Sequence, residues 1–260
     1  MRMGAWGRAG AGVTVALAMM GCGDGTGPAS GPGPGDLEIE VDTDDGGVPG
    51  SGDLIVETLN VEPFDSVVLI GEGDVVISHG DTVSATVEVD DNLLEYLEFD
   101  VVDATLRIRT RMNVDIDPST TPSYRLTVPE LVEVELLGAG TITTEGWATD
   151  AFVISMRGVG DIVVDDLAAE TVSVDLGGVG SVQVSGTVAT QTVTMAGVTE
   201  YLAEDLASRV ADITCGDAGR AVLRVSDSLA ARVTGTGAVS FYGDPTVSGD
   251  TEGVTRLGAG

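Results

Sequence analysis

The 260-residue chain has no lysine, one histidine and two cysteines, and aromatic side chains make up 4% of it. All 12 basic residues are therefore arginines, against 42 acidic residues, for a formal net charge of −30. A surface this acidic repels phosphate backbones, so the composition excludes nucleic acid as a partner. The single histidine, His79, has no second histidine or cysteine beside it, which is not the pattern of a zinc site. Two thiols cannot form a disulfide framework, so stacking of the chain must hold the fold.

Residues 1–21 have the pattern of a secretory signal, with arginines before an apolar run at 9–20 that is too short to span a bilayer. The run leads into Cys22 and resembles a bacterial lipoprotein signal, in which such a cysteine is acylated, although Met19 stands where leucine is usual. We therefore expect a lipid on Cys22 to hold the protein on a membrane. Gly23 after the cysteine resembles lipoproteins that are sent on to the outer membrane.

Residues 22–52 are rich in glycine, proline and aspartate. Such a composition buries too little apolar surface to fold, and it predicts a flexible tether with a reach of roughly 30 Å. The folded domain is expected to span residues 53–260.

A Gly-x-Gly core recurs with a period of 20 residues inside alternating apolar residues. Self-similarity at such a period indicates a solenoid, in which each unit buries its apolar face against its neighbours. The segments alternate with period 2 and are rich in valine and threonine, which favours strands over helices. We predict an all-β fold, a right-handed parallel β-helix of about ten coils. The clearest copies are Gly138-Ala139-Gly140, Gly158-Val159-Gly160 and Gly178-Val179-Gly180.

The glycines share the parity of the apolar residues, so they are predicted to point inward at a pinched corner of each coil. Cys215 falls at the inward position that Met156, Leu176 and Met195 occupy in earlier coils. It is therefore predicted to be a buried core thiol.

Several segments resemble the putative auto-transporter adhesin head GIN domain, a bacterial family of unknown function that is often found on exported lipoproteins. The resemblance covers residues 54–257 in the family's order, with decayed copies of the motif at 197–199 and 216–219. It implies a β-helical fold and a non-catalytic surface role, and it supplies no catalytic residues. The segments that carry it are Phe64-Asp65-Ser66-Val67, Gly71-Glu72-Gly73-Asp74, Asp91-Asn92-Leu93-Leu94, Leu106-Arg107-Ile108, Thr127-Val128-Pro129-Glu130 and the serial Gly-x-Gly units.

Aspartates in the turns of the repeat are candidates for a loose Ca²⁺ site, because Ca²⁺ takes oxygen ligands. The candidates are Asp74, Asp161, Asp165 and Asp166. The 20-residue period lacks the geometry of nine-residue calcium repeats, in which neighbouring turns share each ion. The alternative to a Ca²⁺ site is that these aspartates form a solvated acidic face. His79 is likewise expected to be a solvated turn residue.

Three functions fit this pattern. The first is a lipid-anchored, non-enzymatic adhesive or binding module for a polysaccharide or a cell-surface protein. The second is a polysaccharide-cleaving enzyme, with Arg157 and Asp161 as first targets, against which the scarcity of aromatics counts. The third is a structural envelope protein that acts by self-association, which leaves homo-oligomerisation open.

Overall fold

The structure is a computed structural model that describes residues 46–216, 218–249 and 252–258. The predicted signal, Cys22 and most of the predicted tether lie outside the described residues. One 3-10 helix (Leu94–Tyr96) accompanies the strands. The first strands are β1 (Val48–Pro49), β2 (Leu54–Leu59), β3 (Ser66–Leu69), β4 (Glu72–His79), β5 (Ser84–Asp90), β6 (Leu97–Val102), β7 (Thr105–Thr110), β8 (Ile116–Asp117) and β9 (Ser123–Val128). The later strands are β10 (Glu133–Leu136), β11 (Ala139–Glu145), β12 (Ala148–Met156), β13 (Val159–Leu176), β14 (Val179–Met195), β15 (Val198–Cys215), β16 (Arg220–Val233), β17 (Ala238–Tyr242), β18 (Thr246–Gly249) and β19 (Val254–Gly258).

The later strands stack in parallel, and each coil pairs with the next along its sides, with shifts of register at corners. β13 pairs with β14 through three segments, and each segment forms one side of the coil. We call them the glycine side (residues 159–164), the short side (167–169) and the hydroxyl side (171–176). Each name also covers the segments of the other coils that stack on that side. The predicted parallel β-helix is thus confirmed. It has about six turns, so the expected ten coils were too many. At ~4.8 Å per rung, six turns extend over roughly 30 Å.

The core consists of inward rows in which one residue per coil stacks on its equivalent. One row runs Val134, Ile154, Val174, Val193 and Ile213, and none of these side chains is more than 2% exposed. Burying one such side chain contributes about 1.5–3 kcal/mol. Since the row repeats in every coil, the alternating sequence pattern accounts directly for the stack.

Cys215 occupies the neighbouring inward row after Met156, Leu176 and Met195. Its side chain is fully buried, as the sequence predicts. Burial raises the pKa of the Cys215 thiol above its ordinary value, and a raised pKa makes a thiol inert.

Glycines form a second kind of row, which runs from Gly73 through Gly140 and Gly160 to Gly180. Their φ angles lie between +141° and +144°, a region that L side chains rarely adopt. A Cβ on Gly160 would overlap the carbonyl oxygen of Gly140, and one on Gly180 would overlap that of Gly160. The missing Cβ therefore faces the backbone of the preceding coil, and not the core as the parity of the sequence predicted.

The glycine row ends at Thr199, which pairs with Gly180. Thr199 is 1% exposed, and its hydroxyl has no hydrogen-bond partner among the described residues. The decayed motif at 197–199 thus places a buried, unsatisfied hydroxyl where earlier coils have glycine.

Chain order and stacking order differ at the start of the solenoid. β3 lies between β7 and β10, and β4 lies between β9 and β11. The coil formed by β3 and β4 therefore does not end the stack, because β7 and β9, which come later in the sequence, stack on its outer side. Antiparallel strands complete this end: β6 pairs with β7, β5 with β9, and β2 with β5. Residues 53–132 form this end and not successive coils, which is why ten coils were too many.

A buried carboxylate joins the chain before β2 to this end. Asp90 is fully buried and accepts hydrogen bonds from the Ser119 hydroxyl and amide and from the Gly52 amide. The Ser119 hydroxyl bond is the main reason that the pKa of Asp90 lies below its ordinary value. Together with the pairing of β1 and β8, this contact places residues 47–52, which the composition assigns to the tether, in the same compact unit as the solenoid.

Candidate binding surfaces

The outward row of the glycine side contains two of the calcium candidates. It runs Asp74, Thr141, Asp161 and Ser181, so Thr141 separates the two aspartates by a full rung. The Asp161 carboxylate accepts hydrogen bonds from the Ser181 amide (3.0 Å) and hydroxyl (2.6 Å). Asp161 therefore links its coil to the following one.

The other two candidates lie at the corner between the glycine side and the short side. The Asp165 carboxylate accepts a hydrogen bond from the Ser185 hydroxyl at 2.9 Å. Asp166 has φ 52°, and its amide donates to the same hydroxyl at 3.1 Å. Asp161 and Asp165 are four residues apart on one strand, or about 13 Å, so the four candidates do not converge. Among the described residues, no group of three or more His, Cys, Asp or Glu side chains could hold a metal ion.

The middle residue of two Gly-x-Gly cores, and of the decayed motif at 197–199, is an exposed valine. Val159, Val179 and Val198 stack on one another and are 58%, 50% and 61% exposed. The parity of the motif contained this signal, because a residue between two glycines of the inward set must face outward.

The hydroxyl side carries two parallel outward rows of polar residues. Neighbouring members are one rung apart, about 4.8 Å, and most of these side chains are hydroxyls or carboxylates. The first row contains Ser173, Thr192 and Asp212, and the second contains Asp175, Thr194 and Thr214, which continue from the buried Ser155.

Arg157 lies at the edge of the hydroxyl side and connects its coils. Its guanidinium donates to the Asp175 carboxylate at 2.9 Å and lies 3.8 Å from that of Glu135. The bond to Asp175 is the main reason that the pKa of Arg157 lies above its ordinary value. The predicted partner Asp161 is not among the ion pairs of Arg157, so the structure does not form the Arg157–Asp161 pair proposed for the enzyme alternative.

His79 ends β4 with an exposed side chain, and not in a turn as predicted. Its ring centroid lies 5.7 Å from that of the buried Trp147, at an interplanar angle of 59°. The Trp147 indole N–H donates to the Thr144 hydroxyl, which donates in turn to the Ile77 carbonyl. His79 thus covers a structural tryptophan.

None of the described residues belongs to a helix long and apolar enough to cross a membrane.

Taken together, stacked coils with repeated outward rows define a β-solenoid repeat protein that presents extended faces. The chain belongs to the family described as putative auto-transporter adhesin, head GIN domain, whose sequence pattern matches residues 63–245. The resemblance identified in the sequence is thereby confirmed. A search of curated proteins finds no match.

Solved structures of several bacterial proteins share the fold. A putative adhesin from Bacteroides fragilis has a TM-score of 0.75 at 22% identity, over 82% of this chain and 98% of its own. A putative lipid binding protein from Parabacteroides distasonis has a TM-score of 0.65 at 22% identity, over 82% and 97%. A putative adhesin from Parabacteroides merdae has a TM-score of 0.64 at 17% identity, over 82% and 97%. At these identities the likeness concerns the fold alone.

Proposed function

We propose that the protein is a cell-envelope binding module, without enzymatic activity, whose hydroxyl side adheres to a polysaccharide or to another cell-surface protein. The observation that carries the proposal is the pair of outward polar rows that contain Thr192 and Thr194. Each threonine hydroxyl can donate one hydrogen bond and accept others. A rigid, repeated array suits an extended polar ligand, because each further rung adds contacts of the same kind.

The family description and the names of the solved relatives support a binding role. Two of those relatives are called putative adhesins and one a putative lipid binding protein. The polar character of the hydroxyl side favours a hydrophilic ligand for this face. For the same reason the exposed valine row on the glycine side is the weaker candidate, since it offers no hydrogen bonds to a sugar.

The binding assay uses purified protein and a panel of neutral and acidic polysaccharides, with and without Ca²⁺. Retention on the polymer and the appearance of new chain ends are scored in the same tubes. We expect retention without new chain ends. New chain ends would overturn the non-enzymatic proposal, and a Ca²⁺ requirement would direct attention to Asp74, Asp161, Asp165 and Asp166.

Variants of the exposed threonines locate the binding face. The double substitution Thr192→Ala and Thr194→Ala removes two hydroxyls from adjacent rows. Two hydrogen bonds of about 1 kcal/mol each predict a loss of affinity of roughly tenfold or more. Gln183→Ala, on the exposed outer surface of the glycine side, is the matched control and should retain binding. Equal losses in both variants would show that the hydroxyl side is not the binding face.

The anchor belongs to the same proposal. Acylation of Cys22 would hold the protein on the outer membrane, with the part of residues 22–52 that precedes the compact unit as the tether. Labelled palmitate should enter the wild-type protein and not Cys22→Ser, and the variant should be released in soluble form. Equal labelling of both proteins would refute Cys22 as the attachment residue.

A further inference from the structure

A change in coil length creates a groove on the short side of the solenoid. Ala203 pairs with Leu223, but the next paired residues are Ala207 and Arg224. Residues 204–206 of β15 therefore have no counterpart in β16. The corner of this coil projects beyond the next one and leaves a groove of about 490 Å³ that runs across four successive coils.

The residues that line the groove include apolar side chains and hydroxyls that already form hydrogen bonds. Its lining includes Ala207, which is exposed, and Val188 and Val225, which are buried. Three hydroxyl residues line it: Thr187, Ser208 and Ser226. The buried Ser208 hydroxyl donates to the Arg224 carbonyl at 2.8 Å and accepts from the Gln191 amide at 2.7 Å, and the Ser226 hydroxyl donates to the Asp227 carboxylate at 2.6 Å. An apolar chain in the groove would thus leave neither the Ser208 nor the Ser226 hydroxyl unsatisfied.

Two arginines line the same groove, although the chain as a whole is strongly acidic. Arg224 is fixed by a 2.6 Å hydrogen bond from Nε to the Glu204 carbonyl, and its guanidinium lies 5.5 Å from the centroid of the Tyr242 ring. Arg209 is exposed. Within the part of the chain that the structure describes, neither arginine forms an ion pair with a carboxylate, so both charges are available to an anion.

Asp244 is the carboxylate among the described residues that line the groove, and it forms an ion pair. Asp244 lies 3.2 Å from the Arg256 guanidinium, and its side chain is 88% exposed. Arg256 partly offsets the negative charge of Asp244. The two positive charges of Arg209 and Arg224 therefore exceed the negative charge at the groove, which favours an anionic ligand.

We propose that this groove binds a single-chain anionic amphiphile, a fatty-acid-like carboxylate, with its chain along Ala207 and its carboxylate against Arg224 and Arg209. A guanidinium binds a carboxylate through two parallel hydrogen bonds, which fixes the head group. At ~30 Å³ per displaced water, the groove exchanges roughly 16 waters for ligand atoms, a volume that one alkyl chain fills. The proposal concerns a different face from the hydroxyl side and does not depend on the ligand bound there.

The probe is dodecanoate below its micellar concentration, titrated calorimetrically into the purified protein. Dodecyltrimethylammonium has the same chain with the opposite charge. We expect dodecanoate to bind and the cation to bind at least tenfold more weakly. Shortening the chain should lower affinity by roughly fourfold for each methylene removed. Equal binding of anion and cation, or no binding of dodecanoate, would overturn the proposal. Binding to phosphatidylglycerol vesicles without binding of dodecanoate would likewise overturn it in favour of a membrane surface.

Variants assign the site. Arg224→Gln and Arg209→Gln should each weaken dodecanoate binding by about tenfold, the loss expected for one charge-assisted contact. Ala207→Trp should block the groove. Arg220→Gln removes the same charge from an exposed arginine on the glycine side and should bind like the wild type. Because Arg224 also contacts the fold, Arg209→Gln decides the case: if it and Arg220→Gln behave alike, the head-group assignment is refuted.

Discussion

The glycine row allows backbone conformation and backbone spacing to be tested separately by alanine substitution. Gly160 has φ +143°, and an added Cβ would overlap the Gly140 carbonyl. Gly146 has φ +78° but open space around the Cβ position. Gly177 has no positive φ, and its nearest neighbour would be Arg157 Cγ at 3.8 Å, an ordinary contact. Gly160 is thus constrained by both its φ angle and the neighbouring backbone, Gly146 by its φ angle alone, and Gly177 by neither.

The magnitudes follow from these local geometries. Gly177→Ala should be neutral or stabilising by about 0.5 kcal/mol, because alanine restricts the unfolded chain. Gly146→Ala should lower the free energy of unfolding by about 1 kcal/mol through its φ angle. Gly160→Ala combines a conformational cost of about 1–3 kcal/mol with a backbone displacement of similar size, a total of about 3–5 kcal/mol.

Urea unfolding of the purified variants measures these differences. With a slope of about 1–3 kcal/mol per molar urea, Gly160→Ala should move the midpoint down by at least 1 M. Gly177→Ala should leave the midpoint unchanged or raise it slightly. If Gly160→Ala were no more destabilising than Gly146→Ala, the close backbone approach between coils would not be what requires glycine.

Four further substitutions or treatments test other parts of the structure. Thr199→Val replaces a buried, unpartnered hydroxyl with a methyl group and should raise the free energy of unfolding by about 1 kcal/mol; a lower urea midpoint would show that the hydroxyl is bonded. Tyr201→Phe removes the hydrogen bond that the tyrosine hydroxyl donates to the Gln191 side chain and should cost about 1–2 kcal/mol by the same assay; an unchanged midpoint would contradict the bond. Because the pKa of Asp90 is lowered in the folded state, its stabilisation is present above the unfolded pKa of about 3.9 and is lost as pH falls through the folded value. The melting temperature of Asp90→Asn should therefore lie below that of the wild type at pH 6 and approach it near pH 2; a constant difference would refute the linkage. Cys215 should react with a thiol reagent only as fast as the protein unfolds, and rapid labelling of native protein would contradict its burial.

The repeated part of the fold was predictable because its pairing partners lie one period apart in the sequence. Once the 20-residue spacing is seen, the stacking of Ile154 on Val174 and of Met156 on Leu176 follows. The inward place of Cys215 follows for the same reason. The requirement for glycine followed only in part, because parity tells which face a residue shares but not that a Cβ would strike the preceding coil.

The start of the solenoid was not predictable from the same pattern. Val67 pairs with both Leu106 and Val134, and no fixed spacing announces that a later segment stacks before an earlier one. The alternation in residues 53–132 indicated strands correctly, but alternation is the same in parallel and antiparallel pairs. The number of coils was overestimated for this reason.

The candidate surfaces show the same division. Asp74 and Asp161 were grouped because both were assigned to turns of the repeat, yet the rung of Thr141 separates them. The groove on the short side left a weak signal in the sequence, since the spacing shortens to 18 residues between Gly219 and Gly237. A shorter coil predicts that the surfaces of neighbouring coils do not align at one corner. It does not predict which corner lacks the residues.

A solenoid of this kind separates the residues that specify the fold from those that meet a ligand. Inward rows and glycines bear the packing constraints, whereas outward positions such as Thr192 and Thr194 touch little of the core, and their substitution should change stability by no more than about 0.5 kcal/mol. Outward rows can then diverge while the stack persists. This is consistent with a TM-score of 0.75 at only 22% identity to the Bacteroides fragilis protein. Relatives with the same coils need not share a ligand, so the ligand of this protein has to be sought from its own outward rows and its own groove.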